Sequence, residues 1–246
     1  MPASSPLRPL FAGAARAVIT PPLGIRMMGY TVQESVSRCV ERELTATALV
    51  LSDGRTKAVV LACDLLFIQN PHVDRIRAAV GRGVGVPAEQ VLINCSHKHL
   101  GPMLPGWQRD SDEQQSLQER YLAALEDQLA GVAAAADGML EPARLGVATG
   151  HASLGVNRRE RLADGRVIIG ENHTGPVDNE IGVVRIDRAN GRHRWPTPFC
   201  WAPRTAAWVT CPRPRPSTRG AWKSSWAEDE ASGGKEGRRE KWRQVV

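Results

Sequence analysis

The chain has 246 residues and 5 cysteines, long enough to bury a core without covalent staples, and an odd cysteine count with no CxxC pair does not read as a disulfide framework. Its formal net charge of +6 would call for an acidic partner if it were spread over the fold, but 12 of the 32 Lys+Arg and 5 of the 26 Asp+Glu lie from Arg192 onward, which leaves +7 there and −1 before it. The opening residues lack the charged segment and apolar run of a signal peptide, and no stretch approaches the roughly 18 apolar residues of a membrane span. A soluble cytoplasmic chain with no transmembrane segment is expected; no oligomeric state follows from the sequence.

From residue 11 a small-residue strand runs to Thr20, where Pro21-Pro22 forbids both helix continuation and ladder donation and turns the chain. Residues 44–51 (LTATALVL) and 57–64 (KAVVLACD) read as strands joined by a hairpin-type turn at Asp53-Gly54, hence an antiparallel pair. Asp64 ends the second of these. A carboxylate there suits metal binding or the orientation of a histidine, and the commoner duty is to cap the next element. Residues 71–80 are amphipathic, with Val73, Ile76, Ala79 and Val80 at helical spacing, His72 on the surface of the first turn, and a break expected over residues 81–85.

The next stretch, residues 91–102, reads VLINCSHKHLGP. An apolar strand stops at a polar turn with two histidines two positions apart. Alternate residues of a strand share a face, so His97 and His99 are expected to converge at the strand's C-terminal end, where open α/β sheets hold their ligands. Neutral imidazole is a common zinc ligand. A catalytic zinc takes three protein ligands and a water, so this pair supplies at most part of a site.

A helix over residues 113–136 follows, with Leu117, Tyr121, Leu125, Leu129 and Val132 on one stripe and Gly138 at its end. Residues 143–149 form a strand, Gly155 to Arg159 lie in a polar loop, residues 167–169 are short and apolar, and a turn-rich loop spans residues 170–178. Residues 181–186 (IGVVRI) are the last convincing strand. The expected fold is α/β, with mixed β-sheets flanked by helices in residues 11–191, an incomplete domain followed by an irregular basic tail, residues 192–246.

These signals, in this order, resemble the N-terminal part of the neutral/alkaline non-lysosomal ceramidases, in particular their short bacterial relatives. The resemblance is carried by Ala12-Gly13-Ala14-Ala15-Arg16-Ala17 with Ile19-Thr20-Pro21-Pro22-Leu23-Gly24, Asp64-Leu65-Leu66, Ser96-His97-Lys98-His99-Leu100-Gly101-Pro102, Val156-Asn157-Arg158-Arg159, and Gly175-Pro176-Val177-Asp178 ahead of Gly182-Val183-Val184-Arg185. It implies a zinc-dependent amidohydrolase that cleaves an N-acyl amide or lipid substrate such as ceramide to fatty acid and sphingosine. It further implies His97 as a metal ligand and His99 as a substrate-facing proton partner. Arg158 becomes a guanidinium that polarises the amide carbonyl or holds a carboxylate product. Lys98 and Leu100 depart from the family's threonine and serine; at strand parity Lys98 is expected to point away from the site.

The Zn2+ site implied is incomplete. The family's second histidine, glutamate, tyrosine and essential serine have no counterpart here, and His151, His173 and His193 stand in loop contexts read as surface. An inactive or nearly inactive chain is therefore expected. The tail holds six of the seven tryptophans, and without a period of 2 or 3.6 it is not expected to continue the sheet. Regrouping the bases of Thr218 to Ser225 by one nucleotide permits Tyr-Pro-Gly-Arg-Met-Glu-Val-Val, whose Tyr-Pro-Gly resembles the Asp-Tyr-Pro-Gly that the family carries soon after its second zinc histidine, so the tail reads as an out-of-frame translation. The alternative is a non-catalytic module whose basic tail contacts nucleic acid by stacking and phosphate pairing. No specific nucleic acid partner is expected.

Overall fold

The computed structural model describes residues 9–29, 36–153 and 155–190, and three short strands beyond them. Strand β1 (Leu10–Val18), β2 (Met27–Met28), β3 (Thr45–Ser52) and β4 (Lys57–Cys63) precede helix α1 (Asn70–Val84), and β5 (Val91–Cys95) and β6 (Gly101–Pro102) precede helix α2 (Asp112–Asp137). Then come β7 (Glu141–His151), β8 (Asn157–Arg161), β9 (Val167–Asn172) and β10 (Glu180–Arg188). The main sheet runs β10-β7-β1-β3-β4-β5. Its neighbours are antiparallel except β4 and β5, which are parallel and joined by α1 as a βαβ unit. The expected α/β class with mixed sheets holds.

The two helices pack on each other and on one face of this sheet. Period-2 alternation turns Ala46, Ala48 and Val50 of β3, and Val59, Leu61 and Cys63 of β4, toward Ile76, Val80 and Val84 of α1 and Tyr121, Leu125 and Leu129 of α2. The opposite face holds a smaller cluster of Ala12, Ala14, Leu49, Ala62 and Ala143. Small residues in β1 let α2 lie close, since a Cβ on Gly13 would fall on the carbonyl of Ala136. Tyr121 spends its buried hydroxyl on the carbonyl of Ile19, 2.6 Å away, which ties α2 to the end of β1. Thr20 then bonds Glu43 through its hydroxyl, joining the Pro21-Pro22 turn to the entry of β3.

Three local expectations need correction. Helix α1 does not break at Gly81 but continues to Val84, because Gly81 lets the chain reverse tightly; a Cβ there would stand 2.6 Å from the Val86 carbonyl. The segment from Asn157 is strand β8 and not a loop, paired antiparallel with β9 as a separate two-stranded sheet. The tail also contributes to the sheet: β11 (Phe199–Trp201) pairs with β10, β12 (Trp208–Thr210) with β11, and β13 (Arg243–Gln244) with β7. Backbone pairing needs no apolar period, which is why the sequence pattern carried no trace of it. No helix among the described residues is long and apolar enough to cross a membrane.

The two interior glycines of α1 separate close approach from helix propensity. Gly83 has nothing within 4 Å of an added Cβ, so Gly83→Ala is expected to raise stability by about 0.5–1 kcal/mol. Gly81→Ala is expected to lower it despite the same propensity gain. Urea unfolding of both variants measures the difference, and equal shifts of one sign would contradict the packing argument.

Candidate functional site

Beyond Cys95 the chain leaves the sheet, and residues 96–100 form a turn fastened from two sides. Ser96 N–H donates to the Cys63 carbonyl at 3.0 Å and Lys98 N–H to the Leu65 carbonyl at 3.1 Å, both at the end of β4. Leu100 N–H donates to the Met28 carbonyl at 2.8 Å and Met103 N–H to the Arg26 carbonyl at 2.8 Å, on the loop that carries β2. Between these anchors the backbone is strained. His97 at φ 56° and Leu100 at φ 60° are the only non-glycine residues with positive φ among those described, a conformation that costs an L-residue about 1 kcal/mol or more.

The imidazoles of His97 and His99 end with ring centroids 5.1 Å apart and planes at 66°. Their approach comes from this turn and not from strand alternation, since neither residue lies in a strand. The parity argument for Lys98 lapses with it; Lys98, like both histidines, is exposed. Beneath the turn sits an apolar cluster of Met28, Leu66 and Met103 with Phe67 against it, and Phe67 meets the half-exposed Trp107 edge to face at 4.9 Å.

Asp64 plays a different part from helix capping. Its Oδ2 accepts from the Thr45 N–H at 3.0 Å and the Thr45 hydroxyl at 2.8 Å, and its Oδ1 lies 3.5 Å from the Ser96 hydroxyl. Helix α1 starts after Gln69 with no side-chain cap, a proline at its first turn serving instead. Asp64 thus joins the start of β3 to the entry of the histidine turn. His72 lies in the first turn of α1, as expected, but is half-buried and not on the surface, with Nε2 3.1 Å from the Pro105 carbonyl.

The β2 loop is held in turn by a network that sequence reading missed. Arg26 grips Asp110 with two bonds, Nε to Oδ2 at 2.5 Å and Nη2 to Oδ1 at 2.9 Å, and the Asp110 side chain is only 4% exposed. Gln118 Nε2 donates to the same carboxylate at 3.2 Å. Gln114 accepts the Arg26 N–H at 2.9 Å and donates to the Gly24 carbonyl at 2.8 Å. Ser111 caps α2 by accepting the Gln114 N–H at 3.3 Å. The signal available in the sequence was the polar run before the helix, where Ser111 precedes acidic residues and two glutamines follow. The distant partner Arg26 left no local sign.

Arg158 lies on the exposed β8–β9 hairpin, where its Nε donates to the Gly170 carbonyl at 2.6 Å. Asn157 donates to the Pro176 carbonyl at 3.0 Å, and a Cβ on Gly175 would stand 2.6 Å from the Asn157 Cγ, so the Asn-Arg and Gly-Pro-Val-Asp segments pack on one another. Ser153, Val156, Asn172, His173 and Val177 line a cavity of about 310 Å³ beside them. His173 lies in a turn next to Glu171, and His151 ends β7 instead of lying in a loop; both are exposed. His193 falls outside the described residues.

Burial pushes the Cys63 thiol well up, with Cys95 and Asp64 adding to it, and pushes Cys95 up to about 12 against the pull of the Ile68 amide. Both thiols pack in or against the core, Cys63 within the main cluster and Cys95 beside it. Among the described residues no three His, Cys, Asp or Glu side chains come together in a way that would hold a metal ion.

No protein-family model matches the chain, and no curated protein matches it. Solved structures do. A neutral ceramidase from Pseudomonas aeruginosa superimposes with a TM-score of 0.62 at 22% identity, covering 80% of this chain and 32% of that one. The fold is that of part of a neutral ceramidase chain. A ceramidase complexed with C2 gives a TM-score of 0.63 at 23% identity, over 80% of this chain and 31% of its own. The chain thus spans about a third of the length of the ceramidases it matches.

The Arg26 guanidinium holds the Asp110 carboxyl below the usual carboxylate range, against the effect of burial. A depressed native pKa stabilises the fold above the unfolded value of about 4, and that contribution is lost as pH falls from there through the native pKa. Asp110→Asn is expected to cost about 2 kcal/mol at neutral pH and to flatten the acid limb of the stability profile. Urea midpoints across the acid range measure it; an unchanged acid limb in the variant would contradict the assignment.

Proposed function

We propose that this chain carries the substrate-facing part of an amidohydrolase of the neutral ceramidase type, acting on an N-acyl amide such as ceramide. The observation that carries the reading is the His97-Lys98-His99 turn, strained, doubly anchored and placed at the C-terminal edge of β5 in a fold shared with solved ceramidases. Non-glycine residues in left-handed backbone cluster where a fold must aim side chains.

His99 is the proton partner of the substrate amide, its ring set against His97 at 5.1 Å. Arg158 presents a planar donor suited to a carbonyl oxygen or to the carboxylate of the released fatty acid. His97 is the residue that would ligate zinc, which in such a site polarises the amide carbonyl and supplies the hydrolytic water. A single ligand does not hold a catalytic metal, so the chain as written does not complete the reaction. Residues 192–246 are read as the out-of-frame continuation of the same gene, which accounts for a basic, tryptophan-rich composition unlike that of residues 11–191.

The purified 246-residue chain is expected to bind zinc well below one equivalent and to hydrolyse ceramide at background. The protein made after restoring the shifted frame beyond the Gly191 codon is expected to bind one zinc and hydrolyse N-acyl amides, with His99→Ala lowering kcat/KM about 100-fold. Stoichiometric zinc and turnover by the unrestored chain would refute the incompleteness. A zinc-loaded restored protein inert toward ceramide and shorter N-acyl amides would refute the function.

A further inference from the structure

We propose that Gly29 is a positioning residue for His99: the hydrogen in place of a side chain at Gly29 sets where the imidazole lies. This rests on the reading of His99 as functional only for its importance, since the geometry stands without it. Gly29 follows β2 directly and has φ 117°, and a Cβ built there would meet His99 at three atoms, Cγ at 2.8 Å, Cα at 2.9 Å and Cβ at 2.9 Å. Two of these belong to the root of the side chain, which no rotamer change moves.

The root of His99 has nowhere to retreat. Lys98 N–H is bonded to the Leu65 carbonyl at 3.1 Å and Leu100 N–H to the Met28 carbonyl at 2.8 Å, one residue on either side of His99. The following Gly101 and Pro102 pair with Met28 and Met27. Gly29 is equally fixed, because Arg26 of the same loop is clasped by Asp110, Gln114 bonds both Arg26 and Gly24, and Ser37 N–H donates to the Ile25 carbonyl at 2.9 Å. Two anchored backbones therefore touch through Gly29 and His99. The start of α2 fixes the loop, the loop fixes Gly29, and Gly29 fixes the ring.

The β3–β4 turn supplies a control outside this network. Gly54 has φ 84° and nothing within 4 Å of an added Cβ, so Gly54→Ala carries the backbone strain of an L-residue at positive φ without the collision. Heteronuclear NMR of the imidazole resonances at one fixed pH reads the position of the ring without reference to zinc or turnover. Gly29→Ala is expected to shift the His99 ring cross-peaks, while Gly54→Ala leaves them on those of the parent. Where Gly29→Ala folds poorly, the double variant with His99→Gly removes two of the three clashing atoms and is expected to recover folded protein, so that the two substitutions are not additive in urea unfolding. Unmoved His99 resonances in a folded Gly29→Ala, equal shifts in both alanine variants, or strict additivity in the cycle would overturn the proposal. Failure of the ceramidase reading has a different signature, since the ring shift then appears in a protein whose hydrolysis does not respond to His99.

Discussion

The clasp of Arg26 on Asp110 is the interaction on which the candidate site depends. It joins a loop with almost no regular structure to the residue just ahead of the N-cap of α2, and does so with a bidentate pair whose acidic partner is 4% exposed. A buried pair of this kind contributes little net stability by itself, because desolvation offsets the attraction; what it confers is a defined geometry, since losing either partner strands the other. Gln118 adds a further donor to the carboxylate and Gln114 holds the backbone on either side of Ile25, so the ion pair sits within a wider polar network.

From that clasp the constraint passes along the chain. Two backbone bonds reach from the β2 loop to Leu100 and Met103, and two more from the end of β4 to Ser96 and Lys98, so the five-residue histidine turn is stretched between parts of the fold that are rigid for separate reasons. The β4 end is rigid because Leu61 and Cys63 lie in the core under α1 and α2, and because Asp64 is bonded back to Thr45. Left-handed backbone at His97 and Leu100 is the local result. Its cost is borne by the surrounding packing, as expected where side chains must be aimed and not simply accommodated.

The strands that form the sheet were legible because their apolar patterns are dictated by burial. Residues 44–51 and 57–64 alternate or run apolar as the core requires, and both appear as strands within a residue or two. The position of the histidines at the end of β5 was legible for the same reason. Other features were not, since they depend on contacts distant in sequence. Gly81 looks like a helix breaker until the Val86 carbonyl beneath it is seen. Asp64 looks like a cap until Thr45 is found beside it. The partnership of Arg26 with Asp110 spans 84 positions, and that of Gly29 with His99 lies in the absence of an atom, which a sequence does not display. Strand β8, with three arginines and a glutamate after its asparagine, pairs through its backbone and polar side chains and so carries no apolar period.

Native-state hydrogen exchange at the amides of Ser96, Lys98, Leu100 and Met103 tests the central claim, that an exposed turn is held rigid from two sides. The account predicts protection of all four, with exchange well below the rates of unstructured peptides and opening together with the β2 loop, although the side chains of residues 97–100 face solvent. Exchange of these amides at unprotected rates in the folded protein would contradict it, and would leave the two histidines on a mobile loop with no fixed relation to each other.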